Sequence, residues 1–259
     1  MKQKKCVQYS ALCDIISVFS LKELFMKITT VMFDLDGTLL PMDQDEFVNA
    51  YFSLLAKRMT KYGFDPKELV STIWSGTKNM MKNDNSKKNE EVFWDEFRRV
   101  YGEEGIAKQS QFDDFYHNEF LKVQDVCSFN PMASETVNRI KEAGFRVALA
   151  TQPIFPSIAT EHRTRWAGLD VTDFELFTAF ENIGLCKPNP EYYKEVCARM
   201  GVSPEECLMV GNDVDDDMVA ENIGMQVFLL TDCLINQSGK DITKYNRGSF
   251  TELLEFLGL

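Results

Sequence analysis

Short apolar runs alternate with longer segments of helical period along most of this chain. A continuous apolar run of four to six residues is typical of a strand that is buried on both faces of a parallel sheet. Strands separated by helices predict an α/β fold with a doubly wound parallel sheet. The predicted strands are, approximately, residues 29–33, 145–150, 175–178, 207–210 and 225–230.

The segment from about residue 41 to 128 contains only helical patterns. Phe47, Tyr51 and Leu55 belong to one apolar stripe of period 3.6, and Asp65-Pro66 is typical of an N-cap followed by proline at the first helical position. Two more helices are predicted near 90–101 and 109–123, after a polar linker at 82–89. The pattern therefore predicts an all-helical unit at 43–128, inserted between two parts of an α/β core at 26–42 and 129–259.

Residues 1–25 differ from the rest. Lys2, Lys4 and Lys5 precede a mildly apolar stretch that Asp14 interrupts, without a small-residue cleavage site. We interpret this stretch as an N-terminal extension without chemistry, ahead of a natural start at Met26. No apolar run in the sequence approaches the roughly 18 residues that a bilayer crossing needs.

Charge and cysteine content restrict the classes of partner. The 28 basic and 40 acidic residues give a formal net charge of −12, which argues against binding to nucleic acids or anionic membranes. Seven cysteines without a CxxC pair indicate reduced thiols and a cytoplasmic protein, and two histidines exclude a histidine-rich metal site. A small phosphorylated metabolite remains a possible ligand if a lysine and a metal ion offset the negative field.

Asp34 and Asp36 follow the first predicted strand and point to the same side of extended backbone. Gly37 then permits a sharp turn at the carboxyl end of the strand, where open α/β sheets bind ligands. Two adjacent carboxylates repel each other unless they share a cation, and Mg²⁺ prefers oxygen ligands. The alternative is that both are ordinary turn residues, since aspartate and glycine are common in turns.

Further candidates follow later strands. Thr151 ends the second strand, Lys187 precedes a helix that begins at a proline, and Asp213 and Asp217 lie in an acidic cluster after Gly211. Each has a simpler alternative as a turn residue, a surface charge or an acidic helix start. Because parallel strands end at the same edge of a sheet, the prediction places these side chains and Asp34 and Asp36 in one crevice.

These four segments, in this order, resemble the four motifs of the haloacid dehalogenase-like superfamily of phosphatases and phosphotransferases. The resemblance covers about residues 27–259 and implies a Rossmann-like core with an inserted helical cap, here residues 43–128. Asn212 occupies the position directly after the motif glycine where many members have an acid, so either Asn212 or Asp213 takes that position.

The resemblance also implies a mechanism. Asp34 would form an aspartyl phosphate, Asp36 would act as acid and base, and Thr151 and Lys187 would bind the phosphate. Asp34, the Asp36 carbonyl and Asp213 would hold Mg²⁺, with Asp217 either binding it through water or orienting Lys187. The alternatives are a sugar phosphomutase and a catalytically silent binding protein. The sequence fits a monomer or a homodimer equally.

Overall fold

The computed structural model describes residues 28–259, so the predicted extension at 1–25 lies outside the described residues. Its centre is a six-stranded sheet in which all neighbouring strands are parallel, in the order β3-β2-β1-β4-β5-β6. This order confirms the predicted doubly wound α/β fold. The strands are β1 (Thr30–Phe33), β2 (Arg146–Leu149), β3 (Leu176–Phe177), β4 (Cys207–Gly211), β5 (Gln226–Leu230) and β6 (Asn246–Gly248).

The strand β6 was not predicted. Its three residues, Asn246 to Gly248, are largely exposed and carry no apolar pattern. It pairs with the end of β5, where Leu230 lies opposite Gly248. An edge strand of this kind is defined by backbone pairing, which no local hydrophobic signal reveals.

The helices predicted within residues 43–128 are present, with one exception in the segment 109–123. They are α1 (Gln44–Met59), α2 (Pro66–Met81), α3 (Asn89–Ile106), α4 (Gln109–His117), α5 (Pro131–Glu142), α6 (Ser157–Trp166), α7 (Pro190–Met200) and α8 (Phe250–Leu257). The predicted helix 109–123 ends at His117 and continues as a 3-10 helix, Glu119–Val126. Asn118 separates the two pieces: its backbone is not helical, and its side-chain amide donates to the Asp114 carbonyl at 2.7 Å.

Alternate side chains of each strand pack into two separate apolar layers. Val31 and Phe33 of β1 belong to the larger layer, which continues among the helices of residues 44–126, called here the helical segment. Met32 faces the opposite side and packs with Tyr192 and Tyr193 of α7. Within residues 28–259, no helix combines the length and hydrophobicity that crossing a membrane requires.

The polar stretch predicted as a linker at 82–89 forms a docking contact between the helical segment and the sheet domain. Asn85 exchanges two hydrogen bonds with the backbone of Gly184, at 3.0 and 3.1 Å. Asn89 is fully buried, and its side-chain nitrogen donates to the Pro153 carbonyl at 3.1 Å and contacts the Cys186 sulphur at 3.3 Å. This contact fixes the start of α3 against the loop that carries Lys187.

We expect Asn89→Asp to lower the free energy of unfolding by about 1–3 kcal/mol, because a carboxylate would face carbonyl oxygens without a donor. Urea unfolding followed by circular dichroism measures the change. Asn138→Asp, an exposed position on α5 with the same charge change, is the control and should shift stability by less than about 0.5 kcal/mol. Equal stabilities of the two variants would contradict the docking role of Asn89.

Candidate active site

The carboxyl ends of three neighbouring strands meet at one edge of the sheet. Asp34 follows β1 and donates its backbone N–H to the Val210 carbonyl of β4 at 2.9 Å, and Ala150 after β2 donates to the Phe33 carbonyl at 2.7 Å. A cavity of about 280 Å³ opens at this edge. All six sequence-predicted side chains line it, namely Asp34, Asp36, Thr151, Lys187, Asp213 and Asp217.

Lys187 is buried between two carboxylates. Its Nζ donates to Asp34 Oδ1 at 2.7 Å and to Asp217 Oδ1 at 2.6 Å, and only 2% of its side chain is exposed. Burial alone would lower the pKa of this ammonium, but Asp217 and Asp34 outweigh burial and hold the pKa well above its usual value. Lys187 therefore carries a positive charge beside the Asp34 carboxylate.

The backbone of Lys187 is clamped by a single side chain. Gln152, directly after Thr151, accepts from the Lys187 N–H at 3.0 Å and donates to the Lys187 carbonyl at 3.1 Å. An amide has both a donor and an acceptor, so glutamine can satisfy both backbone groups at once. This contact ties the loop after β2 to the lysine.

Asp217 packs against glycine backbone at the end of β4. Its Oδ2 accepts from the Asp213 N–H at 3.0 Å, and a Cβ on Gly211 would lie 2.1 Å from that same oxygen. Only glycine leaves this space. Asp217 is thereby held against Lys187, and this position agrees with orienting the lysine, one of the two roles considered for it.

Asn212 and Asp213 occupy different environments. Asn212 is buried, donates to the Cys233 carbonyl at 2.7 Å and accepts from the Thr38 hydroxyl at 2.9 Å. A carboxylate could not make the first of these bonds. Asp213 faces the cavity, and its Oδ1 accepts from the N–H groups of Asp215 and Asp216 at 2.7 and 3.0 Å.

Asp36 forms an ion pair with a residue that sequence reasoning missed. Arg163, on α6, is completely buried, and its Nη1 donates to Asp36 Oδ2. The guanidinium also lies over the Phe155 ring, 4.6 Å from its centroid, and donates to the Ala159 carbonyl. Burial raises the pKa of Asp36, and the charge of Arg163 opposes that rise.

Thr151 presents a hydroxyl that has no partner. Its Oγ1 is buried and makes no hydrogen bond within residues 28–259. Its carbonyl, in contrast, accepts from the hydroxyls of Thr178 and Tyr192 at 2.7 and 2.8 Å. The backbone is fixed while the side chain remains available to a ligand in the cavity.

Residues 28–224 match the family model described as haloacid dehalogenase-like hydrolase. The chain belongs to this family. It is a hydrolase, as the resemblance of the four motifs implied.

Relatives and solved structures agree with this membership. Pyrophosphatase PpaX of Bacillus mycoides is 27% identical over 205 residues, which cover 77% of this chain and 81% of the relative. The 2-haloacid dehalogenase of Pseudomonas syringae pv. Tomato has a TM-score of 0.60 at 22% identity, over 89% of this chain and 98% of that one. The HAD-hydrolase YfnB of Bacillus subtilis, bound to magnesium, has a TM-score of 0.51 at 16% identity, over 90% and 99%. Both structural likenesses show the shared fold.

The oxygen atoms available to a metal in this hydrolase form a small set. Within residues 28–259, no three histidine, cysteine or acidic side chains are grouped as a metal site. Asp36 and Asp217 direct their carboxylates to Arg163 and Lys187. Asp34 shares Lys187 with Asp217, whereas Asp213 and Asp216 line the cavity and form no ion pair with lysine or arginine among the described residues. The Asp36 carbonyl accepts no backbone hydrogen bond among the described residues.

A sequence signal for Arg163 exists in hindsight. Ala159, Arg163 and Trp166 lie at i, i+4 and i+7 on the buried face of α6. A single charge within an apolar stripe requires a buried counter-charge. The identity of that counter-charge, 127 positions away in the chain, could not be deduced from the stripe.

We expect Arg163→Gln to lower the free energy of unfolding by about 3 kcal/mol, because the partly buried Asp36 carboxylate would lose its ion-pair partner. Arg165→Gln, on the same helix but in exposed ion pairs, should cost at most about 1 kcal/mol. Adding Asp36→Asn to Arg163→Gln should recover part of the loss. Urea unfolding of the wild type, the single variants Arg163→Gln and Asp36→Asn and the double variant measures the coupling, and strictly additive effects would contradict the pair.

Proposed function

We propose that this hydrolase is a Mg²⁺-dependent phosphatase that acts on a small phosphomonoester through an aspartyl phosphate on Asp34. One observation carries the proposal. Lys187 holds Asp34 at 2.7 Å, beside the unpartnered hydroxyl of Thr151, in a cavity at the carboxyl edge of the sheet. A charged ammonium and a free hydroxyl next to a carboxylate nucleophile suit the oxygens of a transferring phosphoryl group.

In the first step, an Asp34 oxygen attacks the phosphorus and the bond to the leaving oxygen breaks. Asp36 donates a proton to that leaving oxygen. Its Oδ2 is occupied by Arg163, whereas Oδ1 is buried and has no hydrogen-bond partner among the described residues. The raised pKa of Asp36 favours the protonated form that this step needs.

In the second step, Asp36 takes a proton from water as the water oxygen attacks the phosphorus. The bond between phosphorus and Asp34 breaks, and inorganic phosphate leaves. Arg163 positions Asp36 in both steps, since it touches neither the substrate nor the cavity surface. Lys187 and Thr151 bind phosphoryl oxygens throughout.

The residues present fit Mg²⁺. Asp34, Asp213 and the Asp36 carbonyl would hold it, and all three supply the oxygen atoms that this ion prefers. Five carboxylates line the cavity against a single lysine, so a phosphate dianion would be repelled without a further cation. When bound, Mg²⁺ neutralises charge on the phosphoryl group. Asn212, which is committed to Thr38 and Cys233, leaves the metal-binding position to Asp213.

We further propose that residues 43–128 act as a cap over a core formed by 26–42 and 129–259. Phe47, Val48, Trp74, Thr77 and Met81 of the helical segment line the same cavity as the candidate catalytic residues. Such a cover excludes water other than the one that hydrolyses the intermediate. Because this cavity has a volume of only about 280 Å³, we propose a small phosphorylated metabolite as the substrate.

We expect Asp34→Asn to reduce phosphate release by at least about a thousandfold, because the amide is not a nucleophile. Phosphate release from a panel of phosphomonoesters and inorganic diphosphate, with Mg²⁺ and with EDTA, tests this. Asp125→Asn, an exposed position with the same charge change, should retain the activity. Sugar phosphates that isomerise without releasing phosphate would support a phosphomutase, and no turnover together with no Mg²⁺ binding would support a silent binding protein.

We expect Thr151→Val to raise KM for the phosphomonoester about 10- to 100-fold while the free energy of unfolding stays constant or rises, since the hydroxyl has no partner to lose. Thr178→Val is the matched comparison, because its hydroxyl bonds to Thr151 and Tyr192. That variant should lose about 1 kcal/mol of stability instead. Steady-state kinetics and urea unfolding distinguish the effects of these two variants. A Thr151→Val enzyme with unchanged KM would contradict phosphate binding by Thr151.

A further inference from the structure

A second cavity, of about 370 Å³, lies between the helical segment and the loop after β2. It shares wall residues with the catalytic cavity, among them Trp74, Ile154 and Phe155. The two cavities therefore adjoin, and a substrate whose phosphoryl group lies beside Asp34 can extend its leaving group into the second. We call this second space the cap cavity.

The walls of the cap cavity are rich in aromatic side chains. Nine of its lining residues are phenylalanine, tyrosine or tryptophan, including Trp74, Trp94 and Phe93. Aromatic faces bind apolar groups and attract cations through the negative charge of the ring face. A volume of this size accepts an organic group considerably larger than a phosphate.

The charged groups of the cap cavity all have one sign. Glu90, Asp113, Glu161 and Glu181 line it, and none of its described lining residues is lysine, arginine or histidine. Glu161 pairs with Arg165 at 3.2 Å, and Glu181 accepts from the N–H and hydroxyl of Ser157.

Glu90 and Asp113 have no such compensation. Within residues 28–259 neither side chain forms an ion pair with lysine or arginine, and neither has such a side chain among its charged neighbours. Burial raises the pKa of Glu90, and the neighbouring charges of Glu181 and Asp113 raise it further. Burial also raises the pKa of Asp113, although the nearby His117 opposes this rise. These carboxylates repel one another, and a bound cation would relieve the repulsion.

We propose that the cap cavity binds the leaving group of the substrate, and that this group is an apolar or aromatic organic moiety carrying a positive charge. The proposal rests on the phosphatase function proposed above and narrows its substrate class to cationic phosphomonoesters. An anionic leaving group, such as phosphate from diphosphate, would face four carboxylates and nine aromatic side chains without a donor of positive charge.

Two phosphomonoesters of the same shape test the charge. Phosphocholine carries a trimethylammonium group, and neohexyl phosphate carries a tert-butyl group in its place. We expect kcat/KM for phosphocholine to exceed that for neohexyl phosphate by at least about tenfold, mainly through KM, since a desolvated cation gains from both ring faces and carboxylates. Equal values, or a preference for the neutral ester, would overturn the proposal.

Variants without these charges test whether the preference for the cationic substrate arises in the cap cavity. In the double variant Glu90→Gln/Asp113→Asn, the ratio of kcat/KM for phosphocholine to kcat/KM for neohexyl phosphate should fall to within about threefold of unity. Glu104 lies on the same helix as Glu90 and is exposed, so Glu104→Gln, which removes one negative charge outside the cavity, should leave the ratio unchanged. A ratio that persists in the double variant would overturn the assignment of the cation to this cavity.

A binding measurement separates this proposal from the phosphatase function. Trp74 and Trp94 line the cap cavity, so tryptophan fluorescence can follow binding of choline and of neohexanol, the two alcohols without phosphate. Choline binding that is tighter than neohexanol binding, and that weakens in the double variant, supports the cation site even if no ester is hydrolysed. Absence of choline binding together with phosphate release from neutral esters would refute the cation site and leave the phosphatase proposal standing.

Discussion

The buried ammonium of Lys187 is the interaction on which the rest of the candidate site depends. Removing a lysine from water costs several kcal/mol unless its charge is compensated. Asp34 and Asp217 supply this compensation at 2.7 and 2.6 Å, from two different strand ends. Each carboxylate in turn relies on the lysine, because two acids this close would otherwise repel each other. The triad therefore joins the ends of β1 and β4 and holds Asp34 in place.

Most of the neighbouring features serve this triad. Gln152 fixes the lysine backbone, and Gly211 leaves room for Asp217 to approach. Arg163 performs the corresponding task for Asp36, since it is buried entirely and its charge opposes the rise in the pKa of that carboxyl group. The site thus contains two cations of fixed position and an excess of carboxylates, and the proposed Mg²⁺ would offset part of that excess.

The helical segment contributes a different kind of constraint. Its docking contact at Asn85 and Asn89 places aromatic side chains over the strand ends. In the candidate catalytic cavity, Lys187 offsets part of the charge of five carboxylates. The cap cavity has four carboxylates and no lysine, arginine or histidine among its described lining residues. The proposed separation of tasks follows from this difference: phosphoryl chemistry at the sheet edge and recognition of a charged leaving group in the aromatic cavity.

Local pattern in the sequence determined the elements and the site residues that follow strands. The apolar runs predicted five of the six strands, and Asp34, Thr151 and Asp213 were recognised because each comes directly after or near such a run. The haloacid dehalogenase-like family followed from the order of the motifs. Tertiary structure alone decided the pairing of Arg163 with Asp36, the free hydroxyl of Thr151, the different environments of Asn212 and Asp213, and the edge strand β6. Periodicity reports which face of an element is buried, but the partner of a buried charge is set by contacts between residues far apart in the chain.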